Sequence, residues 1–268
     1  MRPPPRERDA LRRWLEELYA AYNRREFVRP DPLQFLYDYP DPADREIVGF
    51  LASYLAYGRV AQILKSVTAA LAPLGTHPAA FLRGAPARRL REATAGFRHR
   101  FTDAETLAAI LAGLQRTLRR RGSLQASFVA SYRPEHTDVQ PALRAFVAEL
   151  AGDRPELLPC PSRGSACKRL NLFLRWMVRC DGVDPGGWTG VRPAHLIVPL
   201  DTHMHRVGRE LGFTRRRAAD LRAALEITAA FATLCPGDPV KYDFALTRLG
   251  IRADLREEAA RVSARPAV

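Results

Sequence analysis

Apolar residues recur at three- and four-residue steps along most of the chain, the period of helices with one buried face. Over Asp9–Arg24 that face is Leu11, Leu15, Leu18 and Tyr22. Asp44–Ala56 is far more apolar (Ile47, Val48, Phe50, Leu51, Tyr54, Leu55), which predicts a buried helix stopped near Gly58, with Val60–Leu71 as the next. Gly75, Pro78, Gly84 and Pro86 punctuate Pro73–Ala87, so short helices and turns are expected there. Further helices are predicted over Asp103–Arg120, Ser123–Tyr132 and Gln140–Leu150. A strongly apolar helix begins near Cys167 and carries Leu170, Leu172, Phe173, Leu174, Trp176, Met177 and Val178. Pro199 breaks the chain again, and Asp201 is a natural N-cap for a helix over Thr202–Leu211. No segment alternates for long enough to require a sheet. The pattern predicts an all-α fold of stacked helices with short connections and no internal repeat. Two longer loops, Gly152–Ser165 and Asp181–Ala194, are expected to line a working surface. The Ser263–Val268 tail is expected to fray.

Composition narrows the class. With 268 residues and 47% hydrophobic content the chain can bury a core and is not wholly disordered. Apolar runs such as Leu107–Leu111 and Leu196–Leu200 fall far short of the roughly 18 residues that cross a bilayer. Met1-Arg2-Pro3-Pro4-Pro5-Arg6 has no apolar stretch behind its charges and does not read as a signal peptide, so a soluble cytoplasmic protein is expected. Cys160, Cys167, Cys180 and Cys235 form no C-x-x-C pair, which favours free thiols over a metal or iron–sulfur site. A net charge of +13 favours a polyanionic partner, nucleic acid ahead of an anionic membrane. Of 42 basic residues only Lys65, Lys168 and Lys241 are lysines. Arginine does not deprotonate in a protein, whereas a desolvated lysine can become a nucleophile, so each lysine matters.

Lys168 is the lysine with chemistry around it. Cys160-Pro161-Ser162-Arg163-Gly164-Ser165-Ala166 turns into the apolar helix, and Lys168 falls in that helix's first turn. Backbone N–H groups there can meet a phosphate oxygen. The helix's positive end and an apolar floor disfavour an ammonium. Lys65 and Lys241 read as structural. Downstream, Asp201 can serve as a cap alone, or can also face a cleft and stabilise a sugar cation or take a proton from Lys168. Asp201, His203 and His205 also spell D-x-H-x-H, a metal-dependent hydrolase pattern, although i and i+2 positions diverge on a helix. The runs Arg119–Arg121 and Arg215–Arg217 read as solvated faces that can also grip phosphate.

The Gly164 turn followed by Lys168-Arg169-Leu170-Asn171, and then Leu200-Asp201-Thr202-His203-Met204-His205-Arg206-Val207, resemble the helix–hairpin–helix DNA glycosylase superfamily. Its endonuclease III branch has a Gly-rich hairpin, a nucleophilic Lys in the second hairpin helix and a V-D-T-H-x-x-R-V segment with the catalytic Asp. Arg45–Tyr57 and Lys241-Tyr242-Asp243-Phe244-Ala245-Leu246 are also similar, so the resemblance runs from about Asp44 to Arg252. The usual L-P-G-V-G hairpin is replaced by Leu158–Ala166 with one glycine. The longer Lys-to-Asp spacing is similar to that of archaeal 8-oxoguanine glycosylases, and the iron–sulfur cysteines are missing.

The resemblance implies a two-lobed helical fold with a cleft between lobes, forming one glycosylase-like unit over residues 1–268. One lobe would hold about 46–180 with the hairpin, the other about 1–45 plus 181–268. It implies a monomeric, nucleoid-associated DNA glycosylase and AP lyase that needs no metal or cofactor and acts on double-stranded DNA with a damaged base. An oxidised purine such as 8-oxoguanine is the first choice and an oxidised pyrimidine the next. Lys168 would attack C1′ and Asp201 would assist. Arg163, Gly164, Ser165, His203 and Arg206 would hold DNA, Tyr57 and Arg59 would fill the gap left by the flipped base, and Trp188 and Trp176 would line the base pocket. The alternatives are a non-catalytic helix–hairpin–helix DNA-binding protein and the metal-dependent hydrolase built on Asp201, His203 and His205.

Overall fold

The computed structural model describes residues 5–251. Helix α1 (Pro5–Tyr22) is followed by 3₁₀ turns at Arg25–Phe27 and Pro32–Asp38. Helices α2 (Pro42–Tyr54), α3 (Val60–Leu71), α4 (Pro78–Gly84) and α5 (Ala87–Ala93) come next. Strands β1 (Arg98–His99) and β2 (Thr102–Asp103) form a small hairpin before α6 (Ala104–Arg121), α7 (Leu124–Ser131) and α8 (Gln140–Ala151). The last helices are α9 (Lys168–Val178), α10 (Thr202–Glu210), α11 (Leu221–Leu234) and α12 (Asp243–Ile251). The fold is all-α apart from that hairpin, which the hydrophobic pattern did not predict. The expected fraying of Ser263–Val268 lies outside the described residues. Among the described residues no helix is long and apolar enough to cross a membrane.

Local chemistry sets the helix boundaries. Asp41 caps α2, its carboxylate accepting from Ala43 N at 2.9 Å, and Pro42 occupies the first turn, where a missing N–H costs nothing. Asp103 and Ser123 cap α6 and α7 in the same way, at 2.9 Å each. Gly122 and Gly152 follow α6 and α8 with positive φ, ending each helix. Helix α2 is buried on nearly all sides and lies centrally, packed on α9, the Pro32–Asp38 turn, α3, α4 and α7. Helix α6 packs on α4, α5, α7 and α8, while α12 packs on α1 and α10. The buried apolar side chains form one continuous core running through Phe50, Phe128, Phe146, Phe173 and Trp188.

The loop Asp181–Ala194 corrects an expectation. It does not line a working surface but folds back onto the core, with Val183 and Asp184 fully buried. Gly186 and Gly187, both at positive φ, allow the reversal. Gly186 N donates to Trp176 O at 3.0 Å and Trp188 N to Met177 O at 2.8 Å, which satisfies carbonyls at the end of α9. Trp188, expected in a base pocket, is buried. Its indole N–H donates to Glu46 at 3.0 Å and its ring meets Phe173 edge-on at 5.1 Å. A large ring with one donor gains more from this apolar site with a buried acceptor than from an exposed loop tip. Burial pushes the Glu46 carboxyl up, against the Leu124 and Gln125 N–H groups and the Trp188 indole that favour its charge.

Candidate active site

The turn between α2 and α3, one face of α9, the start of α10 and the face of α12 enclose a cleft of about 310 Å³. Lys168, Asp201, Tyr57 and Trp176 all line it. Lys168 opens α9 behind Cys167, whose φ of 47° places a non-glycine residue in the left-handed region. No side chain caps the N–H groups of this helix end. Lys168 Nζ reaches across the cleft to Ala56 O at 3.4 Å. Among the described residues it makes no salt bridge. Lys241 differs: both Glu16 carboxylate oxygens lie within 2.8 Å of its Nζ, and Tyr19 packs beneath it at 4.7 Å. Lys65 is exposed on α3.

Asp201 caps α10 with one oxygen, accepting from Met204 N at 2.8 Å. Its other oxygen has no hydrogen-bond partner among the described residues. Below it, the buried Asp243 carboxyl is pushed up by desolvation and by the Asp201 charge, against the pull of Arg175. Arg175 bridges Asp243 and Asp184 (3.0 Å to the latter), and Arg179 adds Asp184, Asp181 and Asp238. Farther along α12, Arg248 pairs with Asp31 and stacks on Phe244 at 4.4 Å. These buried pairs, which sequence reasoning missed, hold α9, α12 and the Asp181–Ala194 loop in fixed relation around the cleft. The Asp-rich stretch Asp181–Asp184 beside Arg175 and Arg179 was the available signal.

Other expected site residues lie elsewhere. Arg59 is exposed at the rim, between cleft residues Gly58 and Val60. Arg163 and Gly164 are exposed at the hairpin, where Gly164 adopts φ 76° and its carbonyl accepts from Leu221 N at 3.0 Å. Ser165 Oγ accepts from Cys167 N at 3.1 Å. His203 is half-buried, and its Nε2–H donates to Leu246 O at 3.0 Å, which ties α10 to α12. Arg206 is exposed and donates to His203 Nδ1 at 3.1 Å. His205 is buried and donates to Arg216 O at 3.1 Å. The two imidazoles therefore face different elements, and among the described residues no cluster of three or more His, Cys, Asp or Glu could hold a metal ion. The D-x-H-x-H reading has no shared coordination point.

Tyr57 joins the cleft to the hairpin. Its hydroxyl donates to His99 O at 2.8 Å and also lies 2.8 Å from Thr102 Oγ1. The buried His99 ring meets Ser66 Oγ at 2.8 Å and donates through Nε2–H to Tyr57 O at 3.0 Å. Burial pushes the pKa of this imidazole below its ordinary value, despite backbone hydrogen bonds acting the other way. Arg169 sits between the Tyr54 and Tyr57 rings, at 5.0 and 4.9 Å.

No curated protein and no solved structure matches the chain. Residues 31–252, which contain every wall of the cleft, match the family described as "Protein of unknown function (DUF2400)", and the chain belongs to that family.

Proposed function

We propose that the protein is a DNA base-excision glycosylase that also cleaves the strand at the abasic product, with two lobes of helices meeting at the Lys168 cleft. One observation carries this reading. A lysine with no acidic partner and a carboxylate with one uncommitted oxygen lie on different walls of a single cleft. A volume of about 310 Å³ suits one extruded nucleotide, at the lower end of the ~300–1,000 Å³ common for small-molecule sites. The three lysines have separate fates, and only Lys168 faces such a space with an amine that no carboxylate meets.

In this mechanism a damaged base leaves the duplex at a cost of a few kcal/mol, offset by arginine contacts to flanking phosphates. The uncapped N–H groups at the start of α9 offer a further phosphate site beside the nucleophile. Lys168 attacks C1′ as a free amine. The glycosidic C–N bond breaks, its electron pair leaves with the base, and the base takes up a proton. The amine loses a proton as the sugar ring opens, which leaves a Schiff base. Loss of the C2′ proton then expels the 3′ phosphate. The free oxygen of Asp201 faces the positive charge that develops on the sugar and can accept the lysine proton. The excised base is proposed to be an oxidised purine, with oxidised pyrimidine as the comparison.

Oligonucleotides that each carry one lesion, incubated with borohydride, test this directly. The wild-type protein should form a covalent adduct with at least one of them, and Lys168→Gln should lose both adduct and base release. An adduct retained in that variant removes Lys168 as the nucleophile.

A further inference from the structure

Two buried donors of the Lys168 cleft have no acceptor. Trp176 and Arg248 both line it, each 1% exposed, and among the described residues neither Trp176 Nε1 nor Arg248 Nε makes a hydrogen bond. An N–H shut away from water and left unpaired is costly, so such groups are rare where nothing enters to meet them. The acidic groups of the cleft are provided for: Asp31 takes Leu33 N and Arg248, Asp243 takes Arg175, and Asp201 takes Met204 N. Lys168, Leu172 and Trp176 are spaced by four, so they share one face of α9 over two turns, about 12 Å. Lys168 is half-buried at the start of that face, and Trp176 is buried at its far end. Phe244 and Arg248 stand one turn apart on α12 in the same way. The inner part of the cleft therefore offers N–H groups and lacks an acceptor.

The carboxylates around the cleft repel an anion, and Ile63, Leu172 and Phe244 give it apolar lining, so the missing acceptor is a neutral atom on a flat ring. A nucleotide whose C1′ meets Lys168 would lay its base along α9 toward Trp176. The ring position farthest from the sugar is C6 of a purine or C4 of a pyrimidine. Guanine- and uracil-type bases carry a carbonyl oxygen there, whose two lone pairs are enough for both donors. Adenine- and cytosine-type bases carry an amino group, which would set N–H against N–H. We infer that Trp176 and Arg248 make the cleft selective for a carbonyl at that position, so that guanine- and uracil-type lesions are taken and adenine- and cytosine-type lesions refused; the direction in which the base enters rests on the glycosylase reading. Selectivity of this kind is steep, because the wrong base leaves buried donors unpaired.

The test compares bases that differ only at that position: 8-oxoguanine with 8-oxoadenine, and 5-hydroxyuracil with 5-hydroxycytosine. Each is placed in a duplex on a 2′-fluoroarabino sugar, which resists excision, opposite a tetrahydrofuran abasic analogue, so that base pairing does not enter the comparison. In anisotropy titrations the wild-type protein should bind the carbonyl member of each pair roughly ten-fold tighter. Trp176→Phe deletes an N–H that holds nothing in the protein, and it should bring this ratio close to 1. Arg248→Lys keeps a cation for Asp31 but loses Nε–H, and it should lower the ratio as well. A merely structural role would weaken both members of a pair equally and leave the ratio where it was. Equal affinity for both members in the wild type, or a ratio unchanged in both variants, overturns the assignment, even where a lesion gives a borohydride adduct. If no lesion gives an adduct while the ratio behaves as expected, the excision chemistry falls and the carbonyl site stands.

Discussion

One Asp201 oxygen caps α10 and the proposed mechanism gives the other a chemical role, and substitution can separate the two. One oxygen holds Met204 N at the start of α10, a role that asparagine fills about as well. The charge is what asparagine lacks. Asp201→Asn should therefore keep its melting temperature and its affinity for lesion duplex, while single-turnover base release slows by roughly 10²–10³-fold. Asp201→Ala should lose a comparable rate and also about 1 kcal/mol of stability with the cap. Normal turnover in a destabilised Asn variant would reduce Asp201 to a cap. Both residues of this pair were legible before any coordinates, Lys168 because lysine is scarce in an arginine-rich chain and Asp201 because of the D-T-H-x-H-R-V string around it. Trp188 was misread for a physical reason: a tryptophan in a Gly-rich segment looks exposed, and the buried carboxylate that accepts its N–H, Glu46, lies 142 positions away.

At the scale of elements, the helices were readable because a 3.6-residue period repeats over many turns, and α3 falls on its expected bounds. The β1–β2 hairpin was not, since two-residue strands are too short to show alternation. The Asp181–Ala194 loop hid its role because, besides neighbouring α9, its partners are far away in sequence, Tyr19 on α1 and Glu46 on α2. Asp184 is the pivot of that loop, fully buried between the Arg175 and Arg179 guanidinium groups. Neutralising it leaves two buried cations short of a counter-charge, and breaking such a pair costs about 3–5 kcal/mol. Asp184→Asn should lose that much in urea unfolding, with activity falling only as the folded fraction falls. Stability within about 0.5 kcal/mol of wild type would mean that the loop is held by its apolar residues instead.

For the whole molecule, the decisive quantity is which of its many arginines face outward without an acidic partner. Arg175, Arg179 and Arg248 are buried and neutralised by aspartates, so they add nothing to an external field. Arg88 is paired with Glu92 at 2.9 Å, and Arg121 with Glu149 at 3.1 Å. Arg59 at the cleft rim and Arg163 at the hairpin are exposed and, among the described residues, form no salt bridge. If duplex DNA lies across the cleft mouth, each of these two neutralises a phosphate and releases a counterion. The logarithm of the binding constant should then fall linearly with the logarithm of salt concentration. Arg59→Ala and Arg163→Ala should each make that slope shallower by about 1, and the pair together by about 2. Arg88→Ala, whose charge is already met by Glu92 one turn along α5, should leave it unchanged. The slopes come from fluorescence anisotropy titrations over a range of salt concentrations. An equal effect from all three variants would mean that the excess charge acts as a diffuse field, and the DNA path across the Lys168 cleft would have to be abandoned.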